Sequence, residues 1–165
     1  MRKGEKGILV AIVVIVLVFM GINTYRHSQV AEDKGIPFYT TASTELQNKG
    51  AELLRVYQCR NCHTLWGFRN PMQSVPSPAL DGIGSIRDES WLYEYLSAAD
   101  PQNILPTRLK AEYQMPSYAH LPEHERRTLA AYLASLKVED WYLDEVKRSE
   151  QEKLTGESPP EDGHE

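Results

Sequence analysis

Apolar positions fall into three regimes along the chain. From Ile8 to Ile22, fifteen consecutive positions are apolar or glycine, with no charge among them. Between residues 43 and 137 apolar side chains recur at spacings of three and four in separated stretches. From Thr155 onward the chain is rich in Gly, Pro and Glu, a composition too polar to bury a core and expected to be disordered.

A membrane span needs about 20 apolar residues. Gly7 and Asn23–Tyr25 bring the first run near that length, and Arg2, Lys3 and Lys6 precede it. A cleaved signal peptide has the same basic and apolar parts, but also small residues at a cleavage site. Here Gly21 is followed by Asn23, Thr24, Tyr25, Arg26 and His27, with no such triplet. Residues 1–25 are therefore read as a cytoplasmic stub and retained transmembrane anchor. The basic end faces the cytoplasm, and everything after Tyr25 faces the periplasm or its equivalent.

The helical spacing predicts three helices. The first covers about Ser43 to Gln58, with Leu46, Gly50, Leu53, Leu54 and Tyr57 on one face. The second covers about Glu89 to Ala98, with Trp91, Leu92, Tyr95 and Leu96 clustered. The third starts at Pro122, a favoured first helical residue, with Glu123 and Glu125 suiting the positive end of the dipole. Its apolar face is Leu129, Tyr132, Leu133 and Leu136. Residues 64–88 and 99–121, punctuated by prolines and glycines, read as loops, and no strand is expected. Trp141, Leu143 and Val146 suggest a short amphipathic helix. The resulting organisation is an anchor (1–25), a linker (26–42) broken at Gly35-Ile36-Pro37, an all-α domain (43–137) and an acidic, partly disordered extension (138–165).

Composition changes this picture in one respect. The net charge of −5 is unevenly placed. Residues 138–165 hold ten acids against three Lys or Arg, whereas residues 27–137 are almost balanced, twelve against eleven. Nucleic-acid binding, which leaves a basic footprint, is not expected. The all-α domain also has little core for its long loops, so a large apolar group at its centre would solve a packing problem.

Cys59-Arg60-Asn61-Cys62-His63 contains both cysteines of the chain. C-x-x-C-H is the attachment signature of c-type haem. Two thiols one turn apart can reach two vinyl groups on one porphyrin edge, and the adjacent imidazole can face the iron. Two other chemistries use similar residues. A zinc site needs about four ligands, and His120 or His124 could supply the fourth. A redox dithiol uses C-x-x-C within a βαβ pattern, and none is visible.

Residues from about Gly50 to Lys137 resemble a class I cytochrome c domain. Gly50 with Leu53-Leu54 is similar to that family's first helix, where the glycine allows close crossing with the last. Leu129-Ala130-Ala131-Tyr132-Leu133-Ala134-Ser135-Leu136-Lys137 resembles the last helix. Pro78-Ala79-Leu80-Asp81-Gly82 resembles the loop whose proline carbonyl orients the ligand histidine. Met115-Pro116-Ser117-Tyr118, 52 residues after His63, resembles the loop that carries the sixth ligand. The resemblance implies one covalent haem c held by Cys59 and Cys62, with His63 and Met115 on the iron. It also implies Trp91 or Arg87 as donors to the propionates. Met72 lies too near His63 in sequence for the distal side. Trp66-Gly67-Phe68-Arg69 has no counterpart in the resemblance, nor has the extension after Lys137.

The function implied is electron transport outside the cytoplasmic membrane, as a tethered carrier or as a cytochrome c subunit of a respiratory complex. A quinol-oxidising complex and a terminal oxidase or reductase are the expected redox partners, and the membrane binds the N-terminal helix. The domain is not expected to be an enzyme itself. The alternative is a haem peroxidase or gas sensor with a displaceable sixth ligand, and Met115 argues against it. A purely structural role would leave the haem without a redox task.

Overall fold

The computed structural model describes residues 3–28, 34–68, 71, 75 and 77–157. The chain divides into two compact units, Met1–Ile36 and Pro37–Glu165. Expectations placed on Arg69, Met72, Pro76, part of the linker and the tail beyond Glu157 lie outside the described residues.

The first unit is helix α1, Lys3–Ser28. The apolar side chains described in it, Ile12 to Met20 and Ile22, are all exposed. The Thr24 hydroxyl donates to the Met20 carbonyl at 2.8 Å, a local bond open to Thr within helices. Among the described residues no helix is long and apolar enough to cross a membrane.

The second unit is mostly helical. Helix α2 (Thr44–Val56) opens at Ser43, whose hydroxyl accepts from the Leu46 amide at 3.3 Å. Such a cap satisfies an amide that the helix itself cannot. α2 buries Gly50 and Leu54. A short helix α3 spans Ile83–Ile86, and α4 spans Glu89–Ser97 behind an Asp88 cap that accepts from Trp91 N–H at 2.7 Å. Helix α5 (Glu123–Ser135) follows Pro122 at the cap position, and its buried Leu129, Tyr132 and Leu133 face the core. Leu54, Leu80, Leu92, Leu96 and Leu136 complete that core.

Two glycines fix how closely the elements approach α5. A Cβ at Gly50 would lie 2.2 Å from the Tyr132 ring. A Cβ at Gly84 would lie 2.0 Å from the Ala134 carbonyl oxygen. The first closeness lets α2 cross α5. The second seats α3 directly on the α5 backbone.

Three expectations need correction. The expectation of no strand fails: β1 (Phe38–Thr40) pairs antiparallel with β2 (Leu136–Val138), Phe38 opposite Val138 and Thr40 opposite Leu136. Phe38–Thr40 lies in the stretch that the sequence reads as linker. The last helix also stops at Ser135 rather than reaching Lys137, because Leu136 turns to extended backbone (φ −77°, ψ 105°). Leu136 and Val138 are then buried while Lys137 points the other way and donates to the Gly84 carbonyl. Three residues carry too little alternation to read as a strand, and the partner is about a hundred positions away. Finally, residues 64–88 are more than loop, since they contain α3 and a tight hairpin turn.

The extension carries a further helix. Helix α6 runs Leu143–Thr155, longer than the expected short helix, and ends at Gly156 in the left-handed region (φ 80°). Glycine adopts that conformation without the steric cost a side chain brings.

Candidate functional site

α2 ends at Val56, Gln58 takes a left-handed conformation (φ 55°), and Cys59–Asn61 form one tight turn. The turn is closed by the Cys62 and His63 amides, both donating to the Cys59 carbonyl at 3.2 and 3.0 Å. Cys59 is half-buried and Cys62 exposed. Burial is the main influence on the Cys59 thiol and pushes its pKa up. The Tyr118 hydroxyl beside it is pushed up to about 12, again chiefly by burial.

His63 is part-buried and places Nδ1 2.7 Å from the Pro78 carbonyl oxygen. A carbonyl only accepts, so Nδ1 carries the proton and Nε2 keeps its lone pair. Burial also holds the imidazole below its usual pKa, against the opposing pull of the Pro78 bond. A neutral imidazole with one nitrogen tied by a hydrogen bond is the metal-ligating form.

The Pro78 segment is itself held from below. Leu80 N–H donates to Thr64 C=O at 2.9 Å. Trp66 and Gly67 both sit at positive φ, 55° and 70°, in a two-residue turn closed by paired amide–carbonyl bonds between Leu65 and Phe68. Trp66 is unusual there, since a bulky side chain disfavours that region. The buried Asp81 carboxylate accepts from both the Trp66 and Gly67 amides. Burial pushes the Asp81 pKa up, and those amides pull it back. Trp66-Gly67-Phe68, which the sequence left unassigned, is thus a hairpin tied to the loop that orients His63.

Cys59, Cys62, His63, Pro78, Trp91 and Met115 line one cavity of about 330 Å³, within the range of small-molecule sites. Its remaining walls are largely apolar, with Leu54, Leu80, Leu92 and Leu96 joined by Leu129 and Leu133 from α5. Met115 sits in a loop pinned at both ends. Gln114 Nε2 donates to Leu109 C=O at 2.8 Å, and Ser117 Oγ donates to Ala98 C=O at 2.7 Å.

Arg87 is placed differently from the other expected residues. It does not line the cavity but lies behind Trp91, its guanidinium 4.8 Å from the indole centroid. Trp91 in turn stacks on Tyr95 at 5.1 Å. Arg87 also pairs with Glu150 at 3.2 Å, while its buried Nε has no hydrogen-bond partner. His120 and His124 are exposed and outside the cavity lining. Among the described residues no cluster of three or more His, Cys, Asp or Glu is arranged to hold a metal ion.

Sequence reasoning missed Glu150 and Leu154, both on α6 and both in the cavity wall. A signal existed: Val146, Glu150 and Leu154 are spaced by four and share one helix face.

The sequence model of the family described as Cytochrome c matches residues 47–137. No curated protein and no solved structure matches the chain at a significant level. A cytochrome c domain implies covalently bound haem c, and the residues present fit that group. Two thiols, an imidazole with a committed Nδ1, a methionine and an apolar enclosure share one cavity, and an unsatisfied Gln102 Oε1 borders it. The family's domain is typical of electron-transfer proteins. With more than half of its length inside that match, the chain belongs to the cytochrome c family.

Proposed function

We propose that the chain is a one-electron carrier with His63 and Met115 as axial ligands of its haem c, working on the periplasmic side of a membrane to which α1 tethers it. The observation that carries the ligand assignment is one cavity holding both Met115 and a His63 whose Nδ1 is committed to Pro78.

Bound haem supplies reversible one-electron oxidation and reduction of iron, and a His/Met pair raises its potential. Each residue then has a defined task. Cys59 and Cys62 would hold the group covalently, so that it could not dissociate. His63 presents the Nε2 lone pair in an orientation set by the Pro78 carbonyl. Met115 offers a thioether from a loop held by the Ser117 and Gln114 bonds, which resists the vacancy that a peroxidase or gas sensor needs. The leucine walls exclude water and keep the surroundings similar in both oxidation states. Trp91, with Arg87 behind it, would be the donor available to charged substituents of the porphyrin.

The membrane assignment is supported by the uncharged run Ile8–Ile22 behind Arg2, Lys3 and Lys6, and by the exposed apolar side chains of Ile12 to Met20 and Ile22 on a 26-residue helix. A quinol-oxidising complex as donor and a terminal oxidase or reductase as acceptor fit a tethered carrier or a complex subunit equally.

The test is the absorption spectrum of purified protein after acid–acetone extraction. A retained c-type α-band in the reduced form, with a weak sulfur-to-iron band in the oxidised form, is the expected result. An α-band without the sulfur band would remove Met115 as ligand, and loss of all haem would remove the carrier reading. For the anchor, separation of the expressed chain into the membrane fraction is expected, with release after deletion of residues 1–25. Recovery of the intact chain in the soluble fraction would overturn it.

A further inference from the structure

Helix α6 lies wholly outside the stretch that matches the family, yet it supplies two residues of the cofactor cavity. Leu154 is apolar and covers. Glu150 brings a carboxylate to the lining of the same cavity as Trp91 and Met115. The helix is docked at three points. Val146 lies against Gly82, where a Cβ would meet its side chain at 3.3 Å. Arg108 N–H donates to Leu154 C=O at 3.3 Å. Arg87 reaches Glu150 Oε2 at 3.2 Å, with the two side chains only 26% and 13% exposed.

An acid is a costly choice for a covering position, because burial penalises the charge. Burial also gives the charge influence: where water is scarce, a charge acts on its surroundings with less screening than at the surface. One-electron oxidation leaves the cavity one unit more positive, and a fixed negative charge at its wall favours that state. Net charge and burial around a redox centre are recognised levers on its potential. Arg87, on the far side of the pair, moderates the effect and holds the carboxylate in place.

We propose that Glu150 is a potential-setting residue of the haem site: a carboxylate donated by the C-terminal helix to the cavity wall, stabilising the oxidised form. This rests on haem c occupying the cavity, and retention of haem by the unmodified chain after acid–acetone extraction reads that separately.

The experiment is a spectroelectrochemical titration of the full haem-loaded chain at neutral pH, unmodified and as Glu150→Gln, which keeps shape and removes charge. The expected result is a higher midpoint potential, with the oxidised-to-reduced ratio at fixed applied potential falling by up to about tenfold, equivalent to about 59 mV for one electron. The α-band and the sulfur-to-iron band should not change, which separates a charge effect from altered ligation. The shift should survive high salt, since only exposed charges are fully screened. Arg87→Gln removes the moderating cation and should move the potential downward. An unmoved potential in Glu150→Gln, even with lowered thermal stability, would make Glu150 a structural strap and overturn the proposal. A shift abolished by salt would overturn it too. If Glu150→Gln fails to assemble alone, it is made together with Arg87→Gln, which removes the buried pair as a unit: a potential above that of Arg87→Gln alone supports the proposal, and one equal to it or below overturns it.

Discussion

The cavity has two kinds of wall. One is built from neighbours in sequence: Cys59, Cys62 and His63 on a single turn, with Pro78 fifteen positions after His63. The other comes from α6, whose Glu150 and Leu154 reach the same space from far along the chain. The first wall is held by short-range backbone bonds and one imidazole–carbonyl contact. The second depends on α3 and β2 being seated against α5 so that Val138 and Val146 can close over Gly82. Chemistry that needs fixed relative geometry sits on the local wall. Shielding and charge sit on the wall that only folding assembles.

Four variants separate the two. The largest effect is expected at the local wall. Replacing both Cys59 and Cys62 by alanine should remove covalent attachment altogether, so that acid–acetone extraction leaves no haem in the protein. Retained haem would mean that attachment lies elsewhere.

Next is the seat of the assembled wall. Gly84→Ala puts a Cβ 2.0 Å from the Ala134 carbonyl oxygen and 2.9 Å from that of Leu133. Both neighbours are backbone and cannot swing aside. A loss of about 3 kcal/mol is expected, at the upper end of the usual cost of overpacking, measured by denaturant unfolding of the haem-loaded protein. A neutral outcome would mean that α3 is not packed on α5 as described.

A smaller effect is expected at Ser117→Ala, which deletes the bond to the Ala98 carbonyl. The stability cost is about 1 kcal/mol, as for a typical hydrogen bond. The more telling readout is a weakened sulfur-to-iron band with the α-band intact. Loss of stability without that change would show that the bond does not position Met115.

The smallest effect is expected at Asp88→Ala, which removes the cap of α4 remote from the covalent chemistry. The Trp91 amide holds the Asp88 carboxyl below its usual pKa. A lowered folded-state pKa contributes stability above the unfolded value, and that contribution is lost as pH falls through the folded one. The difference in thermal midpoint between the unmodified chain and Asp88→Ala should therefore be present at neutral pH and fade below the ordinary aspartate range. A difference independent of pH would assign the effect to packing.

The same division governs how much could be read in advance. α2 was legible because Leu46, Gly50, Leu53 and Leu54 repeat at helical spacing and Ser43 caps them. α4 and α5 were legible for the same reason, to within one or two residues at their ends. β1 and β2 were not, because three-residue strands have no period to detect and exist only by pairing with each other. Trp66 was unassigned because a tryptophan at positive φ contradicts local preference, and the buried Asp81 that holds it there lies fifteen positions away.

The amino-acid sequence by itself determined where the covalent chemistry lies. Adjacent thiols and an imidazole are a property of spacing, which no later packing alters. It also determined the helices whose apolar faces repeat over three or more turns. Only the tertiary structure decided that Arg87 backs Trp91 and pairs with Glu150 rather than lining the cavity. It alone made an acidic extension into a cavity wall, and the tail of the last helix into a strand. Those outcomes depend on which distant backbone a glycine lets approach, and on what a buried charge finds to pair with. Both are energies of contact between segments, set when the chain closes on itself.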